Sequence, residues 1–125
     1  MARVGELMST RLVVIGPDAT VAEAATVMAR RKVGSVLVMT GEELAGIFTE
    51  RDVVRAISYD IHAPQDEVSH WMTREPTTID ADTAHEAALE LMRSGHFRHL
   101  PVVAGRKVVG MLSMRDLIKA GAAVG

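Results

Sequence analysis

Hydrophobic residues follow two alternating spacings along this chain, and the spacings recur in the same order in its two halves. Short β-branched runs, such as residues 12–15, are typical of strands. Apolar residues at every third or fourth position, as over residues 21–28, are typical of one face of an amphipathic helix. The pattern predicts a β-α-β-β-α order in each half, preceded by a short helix at residues 4–8 and again at residues 68–72.

Capping and turn residues delimit these elements. The sequences Thr-Val-Ala-Glu at 20–23 and Thr-Ala-His-Glu at 83–86 have the form of a capping box, in which side chains satisfy free N–H groups at a helix start. Gly41 and Gly105 separate short apolar runs and predict the turns of two hairpins. The remaining predicted strands lie at 35–39, 44–48, 77–79, 100–103 and 108–112, and the remaining helices at 50–57 and 114–120.

The two halves are copies of one supersecondary unit. Residues 4–57 overlay on residues 68–121 without a gap. A period of this length, present twice, indicates a pair of similar units rather than a solenoid. Each half has only about 60 residues, which bury little apolar surface alone, so the halves should pack together as one module. The recurring residues are Gly46 and Gly110, Thr49 and Ser113, Arg51 and Arg115, and Asp52 and Asp116.

Core packing alone explains none of these recurring residues, which lie where the third strand of each half meets the next helix. A hydroxyl and a carboxylate three residues apart at a helix start point the same way beside free N–H groups. A ribose suits this geometry, because its hydroxyls donate to the carboxylate while the helix end favours an anionic phosphate. The same spacing also forms a variant capping box that needs no ligand, and the local motif alone favours capping.

Composition and charge exclude several classes of function. The net charge is −2 at pH 7 and the basic residues are scattered, so the chain has no electrostatic footprint for nucleic acid. Without cysteine, it can form neither a disulfide nor a thiolate zinc site. No apolar run has the length of a membrane span, about 20 residues, or of a signal peptide. We therefore expect a cytoplasmic protein that binds neither nucleic acid nor membranes.

The sequence also lacks the motifs of an enzyme. Its five histidines are spread out, and the close pair His96 and His99 has no acidic or cysteine partner nearby, so we expect no metal site. It has no Gly-x-Ser-x-Gly motif, no phosphate-binding P-loop and no dinucleotide-binding glycine pattern. We therefore predict that the protein is not an enzyme.

Several features together resemble a tandem pair of CBS domains, a family named after cystathionine β-synthase whose pairs are called Bateman modules. These features are the repeat, the element order, the Gly-x-hydrophobic-Thr/Ser-x-x-Asp ending and the sequence His-Leu-Pro-Val-Val at 99–103. The resemblance implies an α/β (α+β) fold in which two β-α-β-β-α repeats pack about a pseudo-twofold axis. It divides the chain into a first repeat at 1–60, a linker at 61–67 and a second repeat at 68–125.

The resemblance also implies two clefts between the repeats, each able to bind an adenosine-containing ligand. Thr49 and Asp52 would hold the ribose in one cleft, and Ser113 and Asp116 in the other. Adenine would be enclosed by the first strand of the opposite repeat and by the segment that enters its second strand. The expected binding residues are Thr49, Arg51, Asp52, Ile79, Phe97, Arg98, His99 and Pro101 for the first cleft, and Ser113, Arg115, Asp116, Ile15, Val33, Gly34 and Ser35 for the second.

The two implied clefts differ in their polar residues. Residues 98–99, Arg and His, would offer the Asp52 cleft two donors toward phosphate, and the planar fork of arginine can bond phosphate with two hydrogen bonds. Residues 34–35, Gly and Ser, hold the equivalent places in the other cleft. The first repeat also departs from the family pattern, with Leu37 where the second repeat has Pro101. We therefore expect the Asp52 cleft to bind more tightly.

The implied function is that of a regulatory module that needs no cofactor. Its ligand would be AMP, ADP or ATP, with NAD and S-adenosylmethionine as further candidates. Ligand binding would shift the population of one arrangement and so act in trans on an unknown protein partner. The alternative is a ligand-free module for homodimerisation or protein interaction, in which the polar residues only cap helices. Apolar residues of the second helix of each repeat also predict a homodimer, namely Val53, Val54, Ile57, Leu117 and Ile118.

Overall fold

A computed structural model describes residues 2–121 of the chain. The chain forms two compact units, which we name after their recurring aspartates. The Asp52 unit is Val13–Pro76, and the Asp116 unit combines the residues up to Leu12 with those from Thr77 onward. Each unit contains the predicted β-α-β-β-α run.

The predicted helices and strands occur in the predicted order, with bounds that differ by a few residues. The short helix expected at 68–72 is a 3-10 turn, and the strand at Thr73–Arg74 was not predicted. The Asp52 unit contains β1 (Val14–Ile15), α2 (Val21–Arg31), β2 (Ser35–Thr40), β3 (Glu43–Thr49), α3 (Glu50–Tyr59), two 3-10 turns (Ala63–Gln65 and Val68–His70) and β4 (Thr73–Arg74). The Asp116 unit contains α1 (Val4–Leu7), β5 (Ile79–Asp80), α4 (His85–Gly95), β6 (His99–Ala104), β7 (Lys107–Ser113) and α5 (Met114–Lys119).

Each unit is built on one mixed sheet. The strand order is β1-β2-β3-β4 in the Asp52 unit and β5-β6-β7 in the Asp116 unit. The first two strands of each sheet are parallel, because a helix connects them, and the next two form an antiparallel hairpin. The hairpins turn at Gly41 (φ 60°) and Gly105 (φ 64°), a left-handed conformation that favours glycine. The predicted hairpins are therefore confirmed.

A proline shifts the parallel pairing by one residue in the Asp116 unit. In the Asp52 unit, the N–H of Leu37 donates to the carbonyl oxygen of Val13 at 2.9 Å. Pro101 is the repeat-equivalent residue and has no N–H to donate. The pairing of β5 with β6 accordingly begins at the next residue, where Ile79 lies opposite Val102. Pro101 thus shifts the start of the parallel pairing by one residue, while both pairings keep two residue pairs and the topology stays the same.

The two units exchange the short segments that open the sequence repeats. The segment at 4–8 belongs to the Asp116 unit, and the segment at 68–72 belongs to the Asp52 unit. The N–H of Gly5 donates to the carbonyl of Ala81 at 2.8 Å, and the repeat-equivalent Ser69 donates to Pro17 at 3.2 Å. The segment expected to be a linker takes part as well, since the carbonyl of Asp66 accepts from the first N–H of α2 at 2.9 Å. The compact units therefore have different bounds from the sequence repeats.

The start of α4 differs from the sequence prediction. A capping box was predicted at 83–86, but α4 begins at His85, and its N-cap Ala84 makes no side-chain capping bond. Instead, the N–H of His85 donates to the carbonyl of Ala2 at 3.1 Å, and His85 Nδ1 lies 3.0 Å from the same oxygen. The N-terminal segment thus replaces the cap, whereas α2 keeps its predicted box at 20–23.

The apolar residues of α3 and α5 divide between core and surface. Val54 and Ile57 on α3 are exposed, as is Ile118 on α5, which fits the prediction of apolar surface on these helices. Leu117, however, is fully buried in the core of its own unit, and Val53 packs against the core of the Asp52 unit. The prediction that Leu117 is a surface residue was therefore wrong, because the face of α5 that carries it covers β7.

Gly46 and Gly110 are required by close packing, so the expectation that packing explains none of the recurring residues was wrong for them. A Cβ on Gly46 would lie 2.6 Å from the carbonyl oxygen of Thr73 and 2.7 Å from Met72 Sδ. A Cβ on Gly110 would lie 2.9 Å from the carbonyl oxygen of Ser9. In both units, the segment contributed from the other repeat passes directly over this glycine.

Alanine at either glycine should therefore destabilise its unit. We expect Gly46→Ala and Gly110→Ala each to lower the free energy of unfolding by about 1–3 kcal/mol, since backbone must shift to admit the Cβ. Urea denaturation followed by circular dichroism measures this loss. Gly16→Ala is the control and should cost less, because its Cβ would meet only the flexible side chain of Asp18. Equal stability of Gly46→Ala and the parent protein would refute the packing role.

Candidate functional site

The first recurring motif lies at the junction of β3 and α3, where Thr49 is the N-cap of the helix. Asp52 Oδ2 accepts from the Thr49 N–H at 2.9 Å and from its hydroxyl at 3.1 Å, while the Thr49 hydroxyl oxygen accepts from the Asp52 N–H at 3.2 Å. Asp52 is only 7% exposed. The predicted capping role is therefore confirmed, and it places a nearly buried carboxylate at the end of the sheet.

The second motif has the same geometry at the junction of β7 and α5. The Ser113 N–H donates to Asp116 Oδ2 at 2.8 Å, and the Ser113 hydroxyl oxygen accepts from the Asp116 N–H at 3.2 Å. Asp116 is half-buried. In both units the capping box engages the same carboxylate oxygen, Oδ2, so capping leaves the Oδ1 atom of each aspartate for other donors.

The segment that enters the second strand lies beside each motif within its own unit. In the Asp52 unit, the carbonyl of Gly34 accepts from the first N–H of α3 at 3.0 Å, and Ser35 is the strand partner of the capping threonine. In the Asp116 unit, the carbonyl of Arg98 accepts from the first N–H of α5 at 2.8 Å, and His99 is the strand partner of the capping serine. Each helix start is thus held by a neighbouring backbone segment.

The structure distributes the predicted site residues between the two units. The Asp52 unit brings together Thr49, Arg51, Asp52, Ile15, Val33, Gly34 and Ser35, and the Asp116 unit brings together Ser113, Arg115, Asp116, Ile79, Phe97, Arg98, His99 and Pro101. Arg51, Arg98 and Arg115 are exposed, whereas Ile79 and Pro101 are buried. The assignment of residues 97–99 to the Asp52 cleft, and of residues 33–35 to the Asp116 cleft, stays a prediction.

Sequence reasoning missed a residue that contacts the Asp52 carboxylate. Arg55 Nη2 lies 3.4 Å from Asp52 Oδ1 and donates to the carbonyl oxygen of Trp71 at 2.7 Å. The spacing of three residues on α3 does place Asp52 and Arg55 on one helix face, and this was a usable signal. The contact with Trp71 spans 16 residues of sequence and leaves no local signal.

Trp71 is held in place on several sides. Its Nε1 donates to Asp66 Oδ2 at 3.0 Å, and its ring stacks on that of Tyr59 with centroids 6.1 Å apart and planes inclined by 27°. The guanidinium carbon of Arg55 lies 5.6 Å from the ring centroid, within range of a cation–π contact. The sole tryptophan of the chain thus contacts both the sole tyrosine and an arginine that touches the candidate site.

Residues 2–121 contain no candidate metal site and no membrane-spanning helix. Over this range, no group of three or more histidine, aspartate or glutamate side chains is placed to hold a metal ion. Over the same range, no helix combines the length and the apolar character needed to cross a membrane.

Comparison with known proteins gives a consistent family. The family model for the CBS domain matches residues 4–59 and 68–123. The uncharacterized 17.7 kDa protein in the bps2 3′ region of Acidianus ambivalens is 37% identical over 121 residues, which cover 94% of this chain and 72% of that protein. The crystal structure of the CBS-domain containing protein ATU1752 from Agrobacterium tumefaciens has a TM-score of 0.93 at 32% identity, covering 97% of this chain and 100% of that chain. The structure of the CBS domain protein PAE2072 from Pyrobaculum aerophilum, complexed with AMP, has a TM-score of 0.85 at 28% identity. The match covers 93% of this chain and 90% of that chain.

Proposed function

Since this chain belongs to the CBS-domain family and carries two such domains, we propose that it is a regulatory module that binds an adenosine-containing ligand. The observation that carries the proposal is the carboxylate at the start of α3. Asp52 is nearly buried and its Oδ2 is used by the cap, whereas its Oδ1 has only Arg55 Nη2 at 3.4 Å and can still accept from a ribose hydroxyl. Ser113 and Asp116 repeat the arrangement at α5.

AMP is the first ligand to test. PAE2072, at 28% identity, is a CBS domain protein complexed with AMP. ADP and ATP share the adenosine and differ only in the phosphate chain, and NAD and S-adenosylmethionine carry an adenosyl group as well. The ligand acts as a regulatory signal, and the module uses no cofactor and carries out no catalytic step.

The output of the module would act in trans on a separate protein. A ligand that contacts both repeats favours the arrangement to which it binds more tightly, and it can shift the equilibrium only by that difference in affinity. The changed surface is then read by the partner. By linkage, the partner must change the affinity for the ligand by the same factor.

A ligand-free module for assembly or protein interaction is the second candidate. It is favoured by the complete capping boxes, which give Asp52 and Asp116 a structural role without any ligand. It is also favoured by the exposed apolar side chains, which include Val54 at 70%, Tyr59 at 77% and Ile61 at 79% exposure. Isothermal titration calorimetry with AMP, ADP, ATP, NAD and S-adenosylmethionine separates the two candidates, because the second predicts no saturable heat with any of them.

Either candidate predicts a homodimer through the apolar surface of α3 and α5. We expect light scattering at tens of micromolar to give twice the mass of one chain, because Val54, Ile57 and Ile118 together leave apolar area that water solvates poorly. Val54→Asp should shift the mass toward that of one chain, whereas Glu50→Asp, on the exposed first turn of α3, should not. A monomer mass for the parent protein at this concentration would reject the homodimer.

A further inference from the structure

The Asp52 carboxylate is contacted through both of its oxygens, each by a different residue. Thr49 donates to Oδ2 from its N–H and its hydroxyl, which are parts of the cap. Arg55 approaches Oδ1, with Nη2 at 3.4 Å. Because the cap already occupies Oδ2, the oxygen beside Arg55 is the one that a ligand hydroxyl would use. Arg55 therefore sets the surroundings of the atom on which the proposed binding depends.

The position of Arg55 is determined by Trp71 more than by Asp52. Its Nη2 donates to the Trp71 carbonyl at 2.7 Å, which is shorter than its 3.4 Å separation from Asp52. Its guanidinium also lies over the Trp71 ring, which is fixed by Asp66 and Tyr59. A guanidinium stacked on an aromatic ring loses little further freedom when it also meets a carboxylate. The cation is thus placed before any ligand arrives, and it orients the carboxylate.

The difference in burial between the two side chains supports an action of Arg55 on Asp52 and not the reverse. The Asp52 side chain is 10% exposed and that of Arg55 is 46% exposed. A carboxylate that has lost most of its water needs hydrogen bonds or a nearby cation, whereas a half-exposed guanidinium keeps part of its hydration. The contact therefore matters more to Asp52 than to Arg55.

The Asp116 unit cannot reproduce this arrangement. Its repeat-equivalent residues are Lys119 in place of Arg55 and Leu7 in place of Trp71. Lysine is a point charge without the planar fork of arginine, and leucine has no π face on which a cation could rest. The two aspartates share their caps but differ in what surrounds the remaining oxygen.

We propose that Arg55 is a positioning residue of the Asp52 half-site. It holds Oδ1 in the orientation in which that oxygen accepts from a ribose hydroxyl, and it makes this half-site selective for ligands with free 2′- and 3′-hydroxyls. The inference rests on the proposed function and adds a residue that determines the preference for ligands with free ribose hydroxyls.

The test compares AMP with 2′,3′-dideoxyadenosine monophosphate, which lacks the hydroxyls. Calorimetry gives both Kd values in an Asp116→Ala background, so that only the Asp52 half-site is observed. In the Asp116→Ala variant, which serves as the parent in this test, AMP should bind about 10- to 100-fold more tightly than the dideoxy compound. This is the range of affinity that hydrogen bonds to a charged group contribute. Adding Arg55→Ala should reduce this preference to less than about threefold, because the carboxylate stays charged but is no longer held in the orientation in which Oδ1 meets the hydroxyls.

Two further variants keep the test decisive. Arg55→Met retains the packing of the side-chain stem and should lose the preference as Arg55→Ala does, so it replaces that variant if it does not fold. Lys119→Ala is the matched control in the other repeat and should keep the preference of the parent. A full preference in both Arg55 variants would overturn the role of Arg55 while leaving the proposed function intact.

The remaining outcomes are also distinguishable. An equal fall in affinity for both nucleotides in the Arg55 variants would mark a merely structural role and would overturn the inference. A parent that binds AMP and the dideoxy compound equally would reject the ribose contact of Asp52 and, with it, the role of Arg55. Absence of AMP binding in the unmodified protein would reject AMP as the ligand of the proposed function.

Discussion

Replacing Asp52 with alanine should weaken AMP binding at its half-site by about 10- to 100-fold, since hydrogen bonds to a charged group contribute about 1.5–3 kcal/mol. The cost in stability should be about 0.5–2 kcal/mol, because the change removes the N3 partner of the α3 cap. The half-exposed Arg55 can recover hydration when its partner is lost. Calorimetry and urea denaturation of the same preparations measure the two effects.

The chain itself offers a matched control for the loss of a cap. Glu23 is the N3 carboxylate of the α2 capping box, and hydrogen bonds from the backbone and the side chain of Thr20 lower its pKa. Glu23→Ala should therefore lose stability much as Asp52→Ala does, but it should leave the affinity for AMP unchanged. If Asp52→Ala binds AMP as tightly as the parent protein, the carboxylate is only a cap and the ribose role is wrong.

Binding at the Asp52 half-site should change the fluorescence of Trp71, the only tryptophan in the chain. The ring contacts the guanidinium of Arg55, which also contacts Asp52 Oδ1, so a ligand hydroxyl at that oxygen alters the cation next to the indole. We expect a saturable quench or shift of emission during titration with AMP. The midpoint should agree with the Kd of this half-site from calorimetry.

Variants of the two aspartates decide which half-site the tryptophan reports. Asp52→Ala should abolish the signal, whereas Asp116→Ala should largely spare it, because the repeat-equivalent of Trp71 in the other unit is Leu7. A signal that survives Asp52→Ala but disappears with Asp116→Ala would show that the half-sites are paired the other way round. Saturation seen by calorimetry without any change in emission would make Trp71 a packing residue alone.

A partly exposed aromatic surface, formed by Tyr59 and Trp71, lies beside the Asp52 half-site. Tyr59 stacks on Trp71 and is itself 77% exposed, so Trp71 connects the half-exposed Arg55 with a second exposed side chain. Tyrosine, tryptophan and arginine are the residues most enriched in the energetically important part of protein interfaces. The chemistry of the Asp52 half-site and a surface suited to a partner are therefore joined by one short series of contacts.

The capping pairs of the candidate site could be predicted because they depend on neighbours in sequence. Thr49 and Asp52 are three residues apart, and so are Ser113 and Asp116, which places each pair on one helix turn. The box at 83–86 has the same local signal and does not form. There the carbonyl of Ala2 accepts from the N–H of His85, 83 residues away in sequence, and α4 begins one residue later than its own sequence indicates.

The duplicated pattern by itself determined the element order, both hairpins and both aspartate caps, because each depends on spacing within about one element. Only the tertiary structure decided which segment completes each unit. The segments at 4–8 and 68–72 have similar patterns. The sequence therefore cannot decide whether a unit is completed by the segment of its own repeat or by the segment of the other repeat. Tertiary contacts likewise decided that Gly46 must lack a side chain and that Arg55 meets Trp71, because both depend on how closely distant stretches of backbone approach.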